Sequence, residues 1–180
     1  MSRLTNIFLV GPMGVGKTTL AHHLAEMLNL TFVDSDHEIE KHTSVTIPWI
    51  FEYEGEAGFR KREQAMIAEL TALDNIILST GGGVVLSASN RQLLQSRGYV
   101  IYLHASVDRL LERTARSHHR PLLETSNRRE KLEMLFKERH PLYVQVADVT
   151  IETGQHSVRQ VVKAVLEHLQ KLDRHENITS

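Results

Sequence analysis

Along the chain, short unbroken apolar runs alternate with longer stretches whose apolar residues recur every three or four positions. The runs at 7–10, 31–33, 76–78, 99–103 and 149–151 are rich in Ile, Val, Phe and Tyr and predict five buried strands. Helical patterns fill the intervals, at 17–28, 36–42, 56–73, 90–96, 107–116, 128–139 and 157–172. Strand alternating with helix implies an α/β domain, a parallel sheet with helices on both faces. In the last helix, Val158, Val161, Val162, Val165, Leu166 and Leu169 form one stripe that should lie on the sheet. Pro48 suits a first helical turn, so a short helix is expected to begin near Trp49, and Gly55 and Gly58 are expected to break it. Trp49 and Phe51 are expected to pack in a core or wall a pocket. The stretch 117–127 has two His, one Pro and no usable period, which predicts a mobile excursion of the kind that serves as a lid. The pattern predicts one domain over 1–172 and a frayed tail at 173–180.

Composition narrows the function. With 180 residues, 41% of them hydrophobic and 24% charged, the chain can hold a core, and disorder is excluded. Lys and Arg number 21 against 22 Asp and Glu, so no global positive field exists to hold a nucleic acid. The absence of Cys excludes disulfides, thiolate metal sites and a cysteine nucleophile, and it suits a reducing compartment. No apolar run approaches the roughly 18 residues of a membrane span. A cytoplasmic domain is the expectation, with no nucleic-acid or membrane partner. His22-His23 and His118-His119 are adjacent pairs that point apart on a helix, so no transition-metal site is expected.

After the first strand stands Gly11-Pro12-Met13-Gly14-Val15-Gly16-Lys17-Thr18, a full G-x-x-x-x-G-K-[ST] pattern at a strand-to-helix junction. Glycines let successive N–H groups turn toward phosphate oxygens, and the helix starting at Lys17 adds its positive dipole end. Lys17 can reach the β and γ phosphates, and the Thr18 hydroxyl can ligate Mg²⁺. The cradle alone does not separate kinases, GTPases and motor ATPases. No N-K-x-D guanine reader is present, and no carboxylate directly follows the strand at 76–78, which runs into Thr80 and Gly81-Gly82-Gly83. Asp34, closing the second strand, is the substitute for holding a Mg²⁺-bound water, and it also suits a helix N-cap.

Ligands in an open parallel sheet bind beyond the carboxyl ends of the strands, which gathers the cradle, Asp34, Asp36 and the triple glycine on one rim. Asp36 is placed to accept a hydrogen bond from an attacking hydroxyl, or is an ordinary first-turn acid. Arg60 and Glu63 form an i, i+3 pair: either an oriented guanidinium for a carboxylate or a surface salt bridge. Arg120, before Pro121 in the excursion, is a lid arginine able to cross to transferring phosphate. Arg113, Arg116, Arg128 and Arg129 read individually as solvated.

These residues compose an ordered signature: N-I-F-L-V-G-P-M-G at Asn6 to Gly14 continuing to Lys17 and Thr18, D-S-D at Asp34 to Asp36, E-G-E-x-G-F-R-x-R-E at Glu54 to Glu63, T-G-G-G at Thr80 to Gly83, R-P-L-L at Arg120 to Leu123, and E-R-x-P-L-Y at Glu138 to Tyr143. The combination closely resembles the bacterial shikimate kinases of the constitutive enteric-type branch, from Asn6 to about Leu169. The resemblance implies a P-loop NTPase fold, nucleoside-monophosphate-kinase-like, with a five-stranded parallel sheet of order 2-3-1-4-5 and a mobile lid at about 113–127. It implies transfer of the ATP γ-phosphate to the 3-hydroxyl of shikimate, with Mg²⁺, by a monomer, on the route to chorismate and aromatic amino acids. Carried over by motif, Gly14, Val15, Gly16, Lys17, Thr18 and Thr19 bind the nucleotide phosphates, and Thr18 ligates Mg²⁺. The shikimate-binding region spans about 34–63. In it Asp36 contacts the shikimate hydroxyls, and Arg60, with Arg139, grips the carboxylate. Gly82 adds a backbone contact, and Arg120 covers the nucleotide. Lys17, Asp36 and Arg120 are the implied catalytic residues. The Thr153-Gly154-Gln155-His156 stretch, which should border the adenine, departs from the family pattern, and no role carries over to it. A kinase for another small acid such as gluconate is the alternative, and the Arg60 and Arg139 pair with D-S-D speaks against it.

Overall fold

The computed structural model describes residues 5–115 and 127–176. Its strands are β1 (Ile7–Val10), β2 (Thr31–Asp34), β3 (Ile76–Ser79), β4 (Tyr99–His104) and β5 (Val149–Glu152). Its helices are α1 (Lys17–Leu28), α2 (Ser35–Thr43), α3 (Ile47–Leu70), α4 (Ala88–Arg97), α5 (Val107–Thr114), α6 (Arg128–Val146) and α7 (Val158–Glu176). The strands pair in parallel in the order β2-β3-β1-β4-β5, as the resemblance implied.

Helices cover both faces, so the central strands β1 and β3 are buried at every position, while the edge strands β2 and β5 are half exposed. The two-residue period of β1 divides its side chains between two cores. Ile7 and Leu9 join Leu20 and Leu24 of α1 and Val161 and Val165 of α7. Phe8 and Val10 join Ile67 of α3 and Tyr143 of α6 on the other face. Val158 departs from the expected stripe and stays exposed in the first turn of α7.

Two expectations about where helices break are corrected. Thr46 caps α3 and Pro48 sits in its first turn, as expected, and Gly55 does interrupt it, with φ 70° and ψ −179°. Gly58 breaks nothing: the chain is helical again, and the Glu54 carboxylate crosses the kink to Arg62 at 2.6 and 2.9 Å. A side chain at 58 would lie 2.5 Å from the Glu54 Cβ, so the bare Cα admits that crossing. Nor does α6 stop at Arg139. It runs through Pro141, which forfeits one backbone hydrogen bond, because Tyr143 and Val146 beyond it are buried in the core. Trp49 lies outside the core, 41% exposed and stacked on Tyr53, whereas Phe51 does line the cleft described below. Residues 173–176, expected to fray, continue α7, and 177–180 lie outside the described residues. The expected lid keeps only its ends, Arg113–Ala115 and Asn127, among the described residues; 116–126, with Arg120, lie outside them. Among the described residues no helix is long and apolar enough to cross a membrane.

At the end of the sheet away from the strand C-termini, buried Asn6 donates to the carbonyls of Leu73 (2.7 Å) and Arg97 (3.3 Å) and accepts from Ile76 N (3.2 Å). Asn6→Ala leaves those buried groups unpaired. The expected outcome is a loss of roughly 1–3 kcal/mol in urea unfolding with unchanged steady-state kinetics.

Candidate active site

Every segment of the signature that is described reaches the C-terminal rim of the sheet. The cradle follows β1, Asp34 to Asp36 close β2 and open α2, and Thr80 to Gly83 follow β3. Together they line an open cleft of about 1460 Å³, more than the roughly 300–1,000 Å³ of a pocket for one small molecule.

In the cradle, Gly14 and Gly16 take left-handed backbone conformations, with φ 81° and 102°. No side chain caps the start of α1, so its first amides face the cleft. Buried Lys17 turns its ammonium back onto the loop, donating to the carbonyls of Gly11 (2.7 Å) and Pro12 (2.9 Å). Thr18 and Thr19 are exposed on the cleft wall. Val15 is a core residue in its side chain, so only its backbone faces a ligand.

Asp34 is the helix cap that the sequence allowed, and it also reaches the cradle. Its Oδ1 caps α2 by accepting from Asp36 N (3.0 Å) and His37 N (3.2 Å), and its Oδ2 accepts from the Thr18 hydroxyl at 2.9 Å. The Ser79 hydroxyl lies 3.1 Å from the same Thr18 oxygen. Ser79 ends β3, where other P-loop proteins carry a carboxylate, and its one trace in the sequence is a polar residue closing an apolar strand. Two hydroxyls and one carboxylate form an all-oxygen set of the kind that suits Mg²⁺, which retains several of its waters. Among the described residues no group of three or more His, Cys, Asp and Glu is arranged to hold a metal alone.

On the acceptor side, Asp36 is half-buried, with its Oδ1 shut off from solvent and without a hydrogen-bond partner. Burial, and then the neighbouring Asp34 and Glu63 carboxylates, push its pKa from 3.8 to about 7; Lys17 and Arg60 act in the opposite sense. Arg60 is oriented as the i, i+3 spacing implied, donating to Glu63 Oε2 at 2.7 Å, and Glu56 accepts from it at 3.0 Å. Glu63 is 1% exposed and keeps Oε1 without a hydrogen bond, so burial raises its pKa against the pull of Arg60 and Arg139. Arg139 is buried at the cleft with its Nε making no hydrogen bond. The triple glycine lies directly beneath these groups: a Cβ on Gly83 would come within 2.3 Å of the Arg60 guanidinium, and one on Gly81 within 2.9 Å of Asp36. Gly82 lies under Arg139, whose guanidinium is 3.7 Å from the corresponding point.

Arg113, taken from the sequence as solvated, reaches the cleft. It donates to Val15 O at 2.9 Å and to Thr153 O at 3.0 Å, tying the cradle to the turn after β5. Nothing in the spacing of α5 distinguishes it from its charged neighbours.

A family profile for shikimate kinase matches residues 13–170. The shikimate kinase of Methylococcus capsulatus is 53% identical over 171 residues, covering 95% of this chain and 96% of that protein. The chain belongs to the shikimate kinase family. A solved structure of the shikimate kinase from Acinetobacter baumannii, in complex with shikimate, superposes with a TM-score of 0.91 at 51% identity, covering 93% of this chain and 94% of that one. A gluconokinase from Sinorhizobium meliloti superposes with a TM-score of 0.61 at 16% identity over 100% of this chain and 99% of that one, which shows a shared fold alone. This shikimate kinase family member is therefore a P-loop kinase with ATP as co-substrate.

The raised pKa of Asp36 has a sign that unfolding can test. Below pH 3.8 the carboxyl is protonated in both states; between 3.8 and about 7 the unfolded chain releases the proton while the folded protein retains it. Stability therefore falls as pH rises through that window and levels off above it. Asp36→Asn removes the loss. The variant is expected to gain roughly 1–3 kcal/mol over wild type at pH 8, a gain that shrinks toward zero near pH 4, in urea titrations of the ligand-free protein.

Proposed function

We propose that this enzyme transfers the γ-phosphoryl group of ATP to the 3-hydroxyl of shikimate, giving 3-phosphoshikimate and ADP. The observation that carries the reading is the set of unused valences opposite the phosphate cradle. Asp36 Oδ1, Glu63 Oε1 and Arg139 Nε are buried without hydrogen bonds around a bare glycine floor, a pattern suited to an anionic polyol.

The cradle amides of Gly14 to Thr19 hold the phosphates, and Lys17 leaves its loop carbonyls to neutralise charge between the β and γ groups. Arg60 and Arg139 grip the shikimate carboxylate, since a planar guanidinium fork matches a carboxylate in two bonds at once. Gly82 contributes a backbone contact. Asp36 accepts the hydrogen bond of the 3-hydroxyl and aims its oxygen at the γ-phosphorus. As the new O–P bond forms, the bond to the β-phosphate oxygen breaks, and the hydroxyl proton passes to Asp36, whose pKa near 7 suits its receipt. Thr18 and Asp34, the latter through water, would hold Mg²⁺, with Ser79 behind them. Bound there, the ion supplies countercharge for the phosphate oxygens. Arg113 walls the nucleotide side, and Arg120 covers it on the strength of the family resemblance. On the same reading the enzyme works in the cytoplasm, where ATP is abundant, and as a monomer, as the family resemblance implies. Neither nucleic acid nor membrane takes part.

The test is ADP release with ATP and Mg²⁺ over shikimate, quinate, gluconate and nucleoside monophosphates. Turnover on shikimate far above the rest is expected, and preference for another acceptor overturns the reading. Arg60→Lys and Arg139→Lys should each raise the KM for shikimate by at least tenfold more than that for ATP, because a point charge cannot replace the fork. Asp36→Asn should lower kcat by roughly 10² to 10⁴, the span of a lost general acid-base group, while titration with an ATP analogue shows little change in nucleotide affinity.

A further inference from the structure

The floor of the acceptor subsite is Gly81 to Gly83, backbone with no side chain to fix its direction, and glycine is the residue freest to turn. Two hydroxyls hold it, and neither lines the cleft. Ser35, fully buried between the two acids of D-S-D, accepts a hydrogen bond from Gly81 N at 3.2 Å. Tyr143, 1% exposed, donates its phenol proton to the carbonyl of Gly82. Because a trans peptide is planar, holding that carbonyl also holds the Gly83 N–H on the opposite side. The Arg139 guanidinium lies over Gly82, 3.7 Å from where a Cβ would stand, and its charge acts on the same phenol, so Tyr143 sits between the glycine floor and an arginine of the subsite.

The phenol is itself held. Its ring stacks on Tyr102 of β4 with 4.9 Å between centroids, and the Tyr102 hydroxyl lies 2.8 Å from His140 Nδ1. Burial pushes the Tyr143 phenol far above its ordinary range, so it remains a proton donor at every working pH. Ser35 is equally constrained, one residue inside the cap that Asp34 places on α2.

We propose that Ser35 and Tyr143 are positioning residues for the phosphoryl acceptor: they set the direction of the glycine-floor peptide groups against which it lies. The proposal rests on reading this rim as the shikimate subsite. Their action is on the acceptor and not on the nucleotide, because the phosphate cradle hangs on β1 and neither hydroxyl hydrogen-bonds to it.

Steady-state kinetics of Tyr143→Phe and Ser35→Ala, with shikimate and ATP varied in turn, test it beside urea unfolding of the same proteins. Phenylalanine keeps the ring and its stack while removing the donor; alanine removes the acceptor. Each variant is expected to raise the KM for shikimate about 3- to 10-fold, the span of one hydrogen bond, with the KM for ATP within twofold of wild type. A shikimate KM within twofold of wild type in both variants overturns the proposal. So does a rise of both KM values together, which marks a general loosening of the fold. If Tyr143→Phe does not fold, Ser35→Ala decides on the same criteria. Wild-type protein that fails to phosphorylate shikimate in the same assay overturns the functional reading instead, so the two failures are distinguishable.

Discussion

Asp36 holds one carboxylate oxygen away from water with no donor to meet it, and Asp34 and Glu63 crowd it with charge of the same sign. A buried polar atom in that condition costs free energy, and the surrounding residues limit the cost without removing it. Lys17 and Arg60 supply opposing charge, and a retained proton supplies the rest in the ligand-free protein. On the proposed reading that oxygen receives the substrate hydroxyl, and stability is given up so that the acceptor is met by a group that needs it. Glu63 repeats the pattern at smaller scale: it fixes Arg60 with one oxygen and leaves the other unsatisfied beside the glycine floor.

Sheet order is what allows these groups to meet. β1 lies between β3 and β4, and β2 lies outside β3, so the cradle, the glycine floor and D-S-D leave three successive strands at the same end. The register places Leu9 and Asp34 both level with Ser79, which brings the ends of β1 and β2 to the single serine that contacts Thr18. α6 then crosses beneath the rim from far along the sequence, carrying Arg139 and Tyr143 on its buried side. Pro141 between them weakens the helix by one hydrogen bond, and burial of Tyr143 and Val146 keeps it continuous.

Much of this is legible in the sequence alone. The five strands lie where unbroken apolar runs lie, because a central parallel strand is buried on both faces and admits few polar residues. The cradle is legible because its chemistry demands glycines, a lysine and a hydroxyl at set spacing, and Arg60 with Glu63 because i and i+3 face each other on a helix. Local signals misled where tertiary contacts outweighed them. Gly58 and Pro141 are breakers by propensity, yet both sit in helices whose far ends are anchored in the core.

By itself, then, the sequence determined the alternation of strand and helix, the presence of a phosphate cradle and an acidic rim, and the family to which the ordered motifs belong. Each of these is written in residue types at short range. The tertiary structure alone decided which side chains share a space. Ser79 behind Thr18, Arg113 bridging the cradle to Thr153, and the hold of Ser35 and Tyr143 on the glycine floor join residues 40 to nearly 100 positions apart. No spacing rule reaches that far, because such pairs are set by which strands lie side by side and how a helix packs across them, and that is a property of the whole sheet.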